Sequence, residues 1–183
     1  MRVGKFILLL AVTVLLVLNT QDNAYAKQTP SSETLIKAAF LYNFAKFVEW
    51  PVDAFADDQT PLTLGILGKD PFGDALETIR DKSVGGRRLE IKRSKTIQDL
   101  EKCHILFISG SEKNRVKMIF NGLKGSNTLT VGDMESFAQR GGIINFISVD
   151  KKIRFEINVD AAMQTGLKIS SKLLKLARII KNK

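Results

Sequence analysis

Cys103-His104-Ile105-Leu106-Phe107-Ile108-Ser109 is the stretch whose reading decides the fold. Ile105 to Ile108 is a short, wholly apolar run between polar neighbours. Such a run reads as a strand buried on both faces, the kind found at the centre of a parallel sheet. Working back from it, Thr96 to Lys102 reads as a short helix, and Arg88 to Arg93 alternates as a half-exposed strand. Gly85-Gly86 is a turn. Asp70 and Pro71 mark the N-cap and first position of a helix to about Arg80. Leu62 to Leu67 is another strand. A first helix starts at Ser31 or Ser32, has Glu33 in its opening turn, and runs to about Glu49. Trp50-Pro51 stops it, since the residue before a proline is pushed out of helical geometry. Ala54 to Pro61 is an acidic loop.

Working forward, Glu112 to Phe120 reads as a helix, Thr128 to Val131 as a strand, and Met134 to Gln139 as one or two helical turns. Gly141-Gly142 opens a strand from Ile143 to Val149. Asp150-Lys151-Lys152 turns the chain, and Ile153 to Ile157 returns antiparallel. Asp160 starts a last helix to about Ile180. Helices and strands therefore alternate up to one late hairpin. The fold class expected is α/β: a single domain, its sheet mostly parallel with one antiparallel late strand, and helices on both faces.

The N-terminus says where the chain works. Arg2 and Lys5 precede an apolar run from Phe6 to Leu18, and Ala24-Tyr25-Ala26 is a small-x-small cleavage site. This is the layout of a secretory signal peptide. The 13-residue run is short of the roughly 20 residues that span a bilayer. The expected division is a signal peptide at 1–26 and an α/β domain at 27–183, delivered to the periplasm. The full chain carries +9, of which +8 remains after cleavage because the first 26 residues hold Arg2, Lys5 and Asp22. Export argues against nucleic acid, so the charge points to an acidic protein, anionic lipid or cell-wall polymer.

Catalytic groups are few. Cys103 and His104 are the sole cysteine and histidine. In a strand they point to opposite faces, so they make no Cys-His dyad. His104 and Ser109 lie roughly 15 Å apart along that strand, too far for a triad. One His and one Cys are too few for a histidine zinc site. Asp53, Asp57 and Asp58 read as a solvated turn. Asp133 and Glu135 read as caps of a helix start. Gly65-Ile66-Leu67-Gly68-Lys69-Asp70-Pro71-Phe72-Gly73 matches neither the P-loop nor the dinucleotide fingerprint. The reading is no enzyme, no cofactor and no metal. A small ligand, if bound, belongs at the carboxyl ends of the strands near Lys69, Asp70 and Ser109.

Two surfaces stand out. The first helix carries Phe40, Tyr42, Phe44 and Phe47, and its apolar residues exceed a single core stripe. Either both sides are covered within the fold, or one side meets a partner. Lys168, Lys172 and Lys175 share one face of the expected last helix. These seven residues are the candidate partner contacts.

Lys37-Ala38-Ala39-Phe40-Leu41-Tyr42-Asn43-Phe44-Ala45-Lys46-Phe47-Val48-Glu49-Trp50-Pro51 resembles the YfiR-like family of exported bacterial proteins. So do Leu64 to Gly68, Ile105 to Ile108, Gly142 to Phe146, Ile153 to Asn158 and Gly166 to Leu174. The resemblance covers about residues 33 to 180. It implies a periplasmic regulator of α/β fold, often a homodimer. Its partner would be the periplasmic sensor domain of an inner-membrane diguanylate cyclase, or a sensor kinase. Repressing the cyclase would lower cyclic di-GMP and restrain biofilm formation. The resemblance also brings redox-coupled disulfides known in a member of the family, but Cys103 is alone and cannot form an intramolecular one, so redox gating is not expected here. The other reading is a periplasmic small-ligand sensor acting with a sensor kinase. An envelope hydrolase comes third.

Overall fold

The computed structural model describes residues 30–181. The signal peptide expected at 1–26 lies outside them. Among the described residues no helix is long and apolar enough to cross a membrane.

Helix α1 spans Ser32–Phe47 and is capped by Ser31, whose side chain accepts from the Thr34 amide. Val48 turns extended at its end and, with Glu49, forms the two-residue strand β1. The chain continues through β2 (Leu62–Leu67), β3 (Ser83–Val84), β4 (Arg87–Ser94) and β5 (Ile105–Ile108). Then come α2 (Val116–Gly122), β6 (Leu129–Gly132), β7 (Ile144–Val149) and β8 (Lys152–Asn158). The last elements are α3 (Val159–Gln164), β9 (Lys168–Ile169), α4 (Ser171–Leu174) and β10 (Arg178–Ile180).

Eight strands form one sheet in the order β10-β8-β7-β6-β5-β2-β4-β3. β5 is central, parallel to β2 and β6 on either side, and all four of its residues are buried. The five strands β4-β2-β5-β6-β7 are parallel neighbours. Their order is that of doubly wound sheets whose chain reverses direction beside the first strand, here between β2 and β5. Alternate residues enter different cores, as strand pleating requires. Ile105 and Phe107 join Leu64, Ile66 and the α1 residues Ala38, Leu41 and Phe44. Leu106 and Ile108 join Leu67, the α2 residues Val116 and Ile119, and Phe137.

The mixed α/β class and the mostly parallel sheet stand, but the antiparallel content is larger than one strand. β8 runs against β7, β10 runs parallel to β8, and β3 runs against β4. The expected helix from Asp160 to Ile180 is also corrected. Gly166 has φ +72°. Its amide bonds Met163 O at 3.1 Å and the Leu167 amide bonds Ala162 O at 3.2 Å. This is a Schellman stop, which a left-handed glycine makes cheap. Leu167 is buried, Lys168 pairs with Glu49, and the tail ends as a sheet edge.

Two other expected helices are tightened. Asp70 does accept from the Phe72 and Gly73 amides, at 2.7 and 3.3 Å. Gly73, with φ +50°, then diverts the chain into a 3-10 turn over Gly73–Thr78. Between Thr96 and Lys102 only a 3-10 turn, Gln98–Leu100, forms.

Candidate functional site

The aromatic helix is largely explained from within. Phe44 is fully buried. Its ring lies 5.1 Å from Phe155 and 5.6 Å from Phe146. Phe40 stacks on Phe44 at 5.9 Å and meets Phe155 edge-on at 5.4 Å. These four rings fasten α1 to the β7–β8 hairpin. Phe44 is therefore a core residue and cannot contact a partner while the core is closed. Tyr42 points to another side: its hydroxyl donates to Ser83 O at 3.1 Å, with Lys46 and Lys82 over its ring. Phe47 is half-buried against the same core.

The three candidate lysines are exposed but share no helix. Lys168 lies in β9, Lys172 in α4, and Lys175 at the C-cap of α4. β9 is tied to the end of α1, because the Ser170 amide donates to Phe47 O at 2.9 Å.

What α1 leaves open is its first half. Leu35 and Ile36 are 38% and 45% exposed. Ile36 and Phe40 line a groove of about 630 Å³ whose opposite wall is the β7–β8 hairpin. Ile153 adds to its apolar floor, and Lys151, Lys152 and Arg154 stand along that wall. The hairpin turn holds Asp150 and Lys151 at φ +49° and +59°, the pair of left-handed residues that a two-residue hairpin loop requires. Glu33, the only acidic lining residue among the described residues, forms an i,i+4 pair with Lys37 at 2.7 Å. The groove is thus apolar at its base and cationic at its rim. Sequence reading missed it because Ile36 and Lys152 are about 116 positions apart and meet only through strand pairing.

The carboxyl ends of the strands, where a small ligand was expected, are differently furnished. Between β2 and β5 the crevice is filled by the chain itself. The Lys69 amide donates to Ser111 Oγ at 3.0 Å, and Ser111 Oγ donates to Glu112 Oε1 at 3.1 Å. A Cβ on Gly68 would lie 2.5 Å from Ser111 Oγ and 2.6 Å from Glu112 Oε1. Glu112 is buried and paired with Arg115. Farther along, a recess of about 440 Å³ contains Asp133, Asn145, Glu156 and Arg178. Three of these groups satisfy one another: Asn145 Nδ2 donates to Glu156 Oε1 and Arg178 Nε to Glu156 Oε2, both at 3.1 Å. Burial pushes the Asp133 carboxyl up despite Lys37 at 3.3 Å.

His104 is held as a structural group. The Thr63 amide donates to its Nδ1 at 3.1 Å, which leaves Nε2 to donate to Ala54 O at 3.1 Å. Phe55 stacks on the imidazole at 4.3 Å, and Arg87 lies over Phe55 at 3.9 Å. Burial pulls the imidazole below its ordinary value, with the nearby Arg87 and Lys92 charges adding and the Ala54 bond opposing. Cys103 is buried, and burial raises its thiol. Among the described residues no group of three or more metal-ligating side chains gathers.

Residues 34–178 match a family model described as YfiR/HmsC-like. The fold also resembles the crystal structure of a conserved domain protein from Vibrio cholerae O1 biovar El Tor strain N16961. The TM-score is 0.54 at 14% identity, over 82% of this chain and 60% of that one. At that identity the likeness shows the fold alone. The chain spans less than two thirds of that protein's length.

Proposed function

We propose, since this chain belongs to the YfiR/HmsC-like family, that it is a periplasmic regulator that binds the periplasmic sensor domain of an inner-membrane signalling protein. The partner is a diguanylate cyclase whose repression lowers cyclic di-GMP, with a sensor kinase as the second type of partner. The observation that supports this reading best is the groove between α1 and the β7–β8 hairpin. It combines the exposed Ile36 and the half-buried Ile153 with the cations Lys151, Lys152 and Arg154. Such a surface suits an acidic protein face carrying an apolar anchor: the anchor supplies affinity and the charges steer the encounter. The chain's excess of 28 basic over 19 acidic residues acts in the same direction.

A regulator shifts a signalling equilibrium only if it binds one state of its partner more tightly. The test is a photo-crosslinking residue at Ile36 in the exported protein, within intact cells. Capture of an inner-membrane signalling protein, lost with Lys152→Glu, is the expected result. A crosslinker that captures none, while one placed at Lys172 does, moves the interface to the tail. Capture from neither position sinks the reading.

A further inference from the structure

A second opening lies at the other end of the sheet, at the amino ends of β6 and β7. It is a cleft of about 380 Å³ between the last turn of α2, the turn into β6, and α3. This is within the size range of small-molecule sites, about 300–1,000 Å³.

Its lining has one sign of charge. Lys117, Lys124 and Arg140 stand around it, and among the described residues no lining residue is acidic. None of the three forms an ion pair among the described residues. Arg140 is fixed at the rim because its Nη2 donates to Lys113 O at 3.1 Å. The lysines are not needed to close the helix end. The Leu123 amide bonds Ile119 O and Phe120 O, the Lys124 amide bonds Asn121 O, and the Ser126 amide bonds Leu123 O.

Neutral donors face the same space. Thr130 is buried on β6, and its Oγ1 accepts the Ile143 amide at 3.0 Å. Its hydroxyl proton therefore remains for another acceptor. The amides of Asn121 and Gln164 stand on the lining as well. Phe120, Leu123, Ile143 and Ala161 form the apolar part of the wall, beside the hydroxyls of Ser126, Thr128 and Thr165. Phe120 is braced edge-on against Phe137 at 5.3 Å.

We infer that this cleft binds a small organic anion, with a carboxylate or phosphate head among Lys117, Lys124 and Arg140 and a compact apolar body against Phe120 and Ile143. Three cations around a recess without a carboxylate concentrate anions. The apolar wall selects those that also carry hydrophobic surface. This site is separate from the α1 groove, and the inference does not rest on the regulatory reading.

The probes are benzoate, phenyl phosphate and neutral benzamide, titrated into the purified protein and followed by backbone amide shifts. Saturable shifts at Gly125, Thr130 and Gly141 with either anion, and binding of benzamide about tenfold weaker or less, are expected. Arg140→Gln with Lys124→Gln changes exposed side chains and should keep the thermal transition while weakening the anion by about tenfold. Raising salt should weaken the anion and leave benzamide unchanged. Absence of saturable shifts with both anions overturns the inference. So does equal binding of benzamide, shifts centred elsewhere, or a well-folded double variant that binds as before. If the shared chemistry holds, the relative affinity of benzoate and phenyl phosphate tells whether the head is carboxylate or phosphate.

Discussion

Trp50 Nε1 donates to the main-chain carbonyl of His104 at 3.2 Å, and the His104 ring reaches back to Ala54 O at 3.1 Å. The loop that leaves α1 is thereby pinned to the residue just ahead of the central strand. The proton on Nε2 is part of the pin, and Nδ1 must stay bare to accept from Thr63. Protonation of the ring therefore breaks the arrangement.

Stability should follow that titration. The folded imidazole lies below its ordinary value, chiefly through burial. Above about pH 6.5, the ordinary histidine value, His104 is neutral in both states and contributes no slope. As pH falls below it, the unfolded chain takes up a proton that the folded one refuses. Stability is lost until pH passes the folded value. The thermal transition should drop between about pH 7 and pH 5, and the drop should be smaller in His104→Asn. Parallel profiles for the two proteins would refute the linkage.

Phe137 sits in space that two glycines leave. A Cβ on Gly142 would come within 2.1 Å of its ring, and one on Gly132 within 2.7 Å. Gly142 does not have a positive φ, so alanine there tests packing and not backbone strain. Gly142→Ala should lower unfolding free energy by about 1–3 kcal/mol, the usual cost of overpacking. Gly142→Ala with Phe137→Leu should recover part of it in denaturant titration. A double variant no more stable than Gly142→Ala would contradict the steric account.

The sheet was legible where periodicity is strongest. Leu62 to Leu67 and Ile105 to Ile108 match their observed bounds, because a short apolar run with polar ends has few alternatives. The tail was not. Ile169, Leu173, Leu176 and Ile180 are spaced as on a helix, yet the Schellman stop at Gly166 and the pairing of Lys168 with Glu49 override that spacing. The glycine was visible, but the partner strand lay over a hundred residues away. The aromatic helix was ambiguous for a related reason: sequence shows which faces are apolar, not what covers them. Phe146 and Phe155 cover Phe40 and Phe44.

Cys103 is 3% exposed, and its Sγ lies 2.9 Å from where a Gly65 Cβ would stand. Burial also holds its thiol in the protonated form. A thiol reagent should label native protein only as fast as the chain opens. Rapid labelling in native buffer would show an accessible thiolate and restore a redox role.

The terminal strand depends on a one-sided ion pair. Glu156 is 1% exposed, whereas the Arg178 side chain is 60% exposed. Arg178→Ala leaves a buried carboxylate with Asn145 alone. Water reaching the vacated position softens the penalty, so a loss of about 1–3 kcal/mol is expected. Arg178→Ala with Glu156→Gln should be more stable than Arg178→Ala, since no charge is then stranded. Equal stability of the two variants would mean that Arg178 acts through its packing on β8 and not through charge.

Docking on the α1 groove has a kinetic signature. Ile36 is exposed and apolar, so Ile36→Ser should leave folding intact and raise the dissociation rate from the partner's periplasmic domain. Lys151→Glu with Lys152→Glu should instead slow association, most strongly at low salt, because rim charges steer encounter over about one Debye length, some 10 Å at 0.1 M. Charge reversal at Lys168, Lys172 and Lys175 tests the surface first suggested by sequence. Those side chains lie on β9 and on α4 with its C-cap, away from the groove lining, and should shift association only through the shared positive field. Each variant is compared by surface binding kinetics after its thermal transition is matched to the parent. If Ile36→Ser leaves dissociation unchanged while the tail reversal accelerates it, the contact is the tail and the groove is not the docking site.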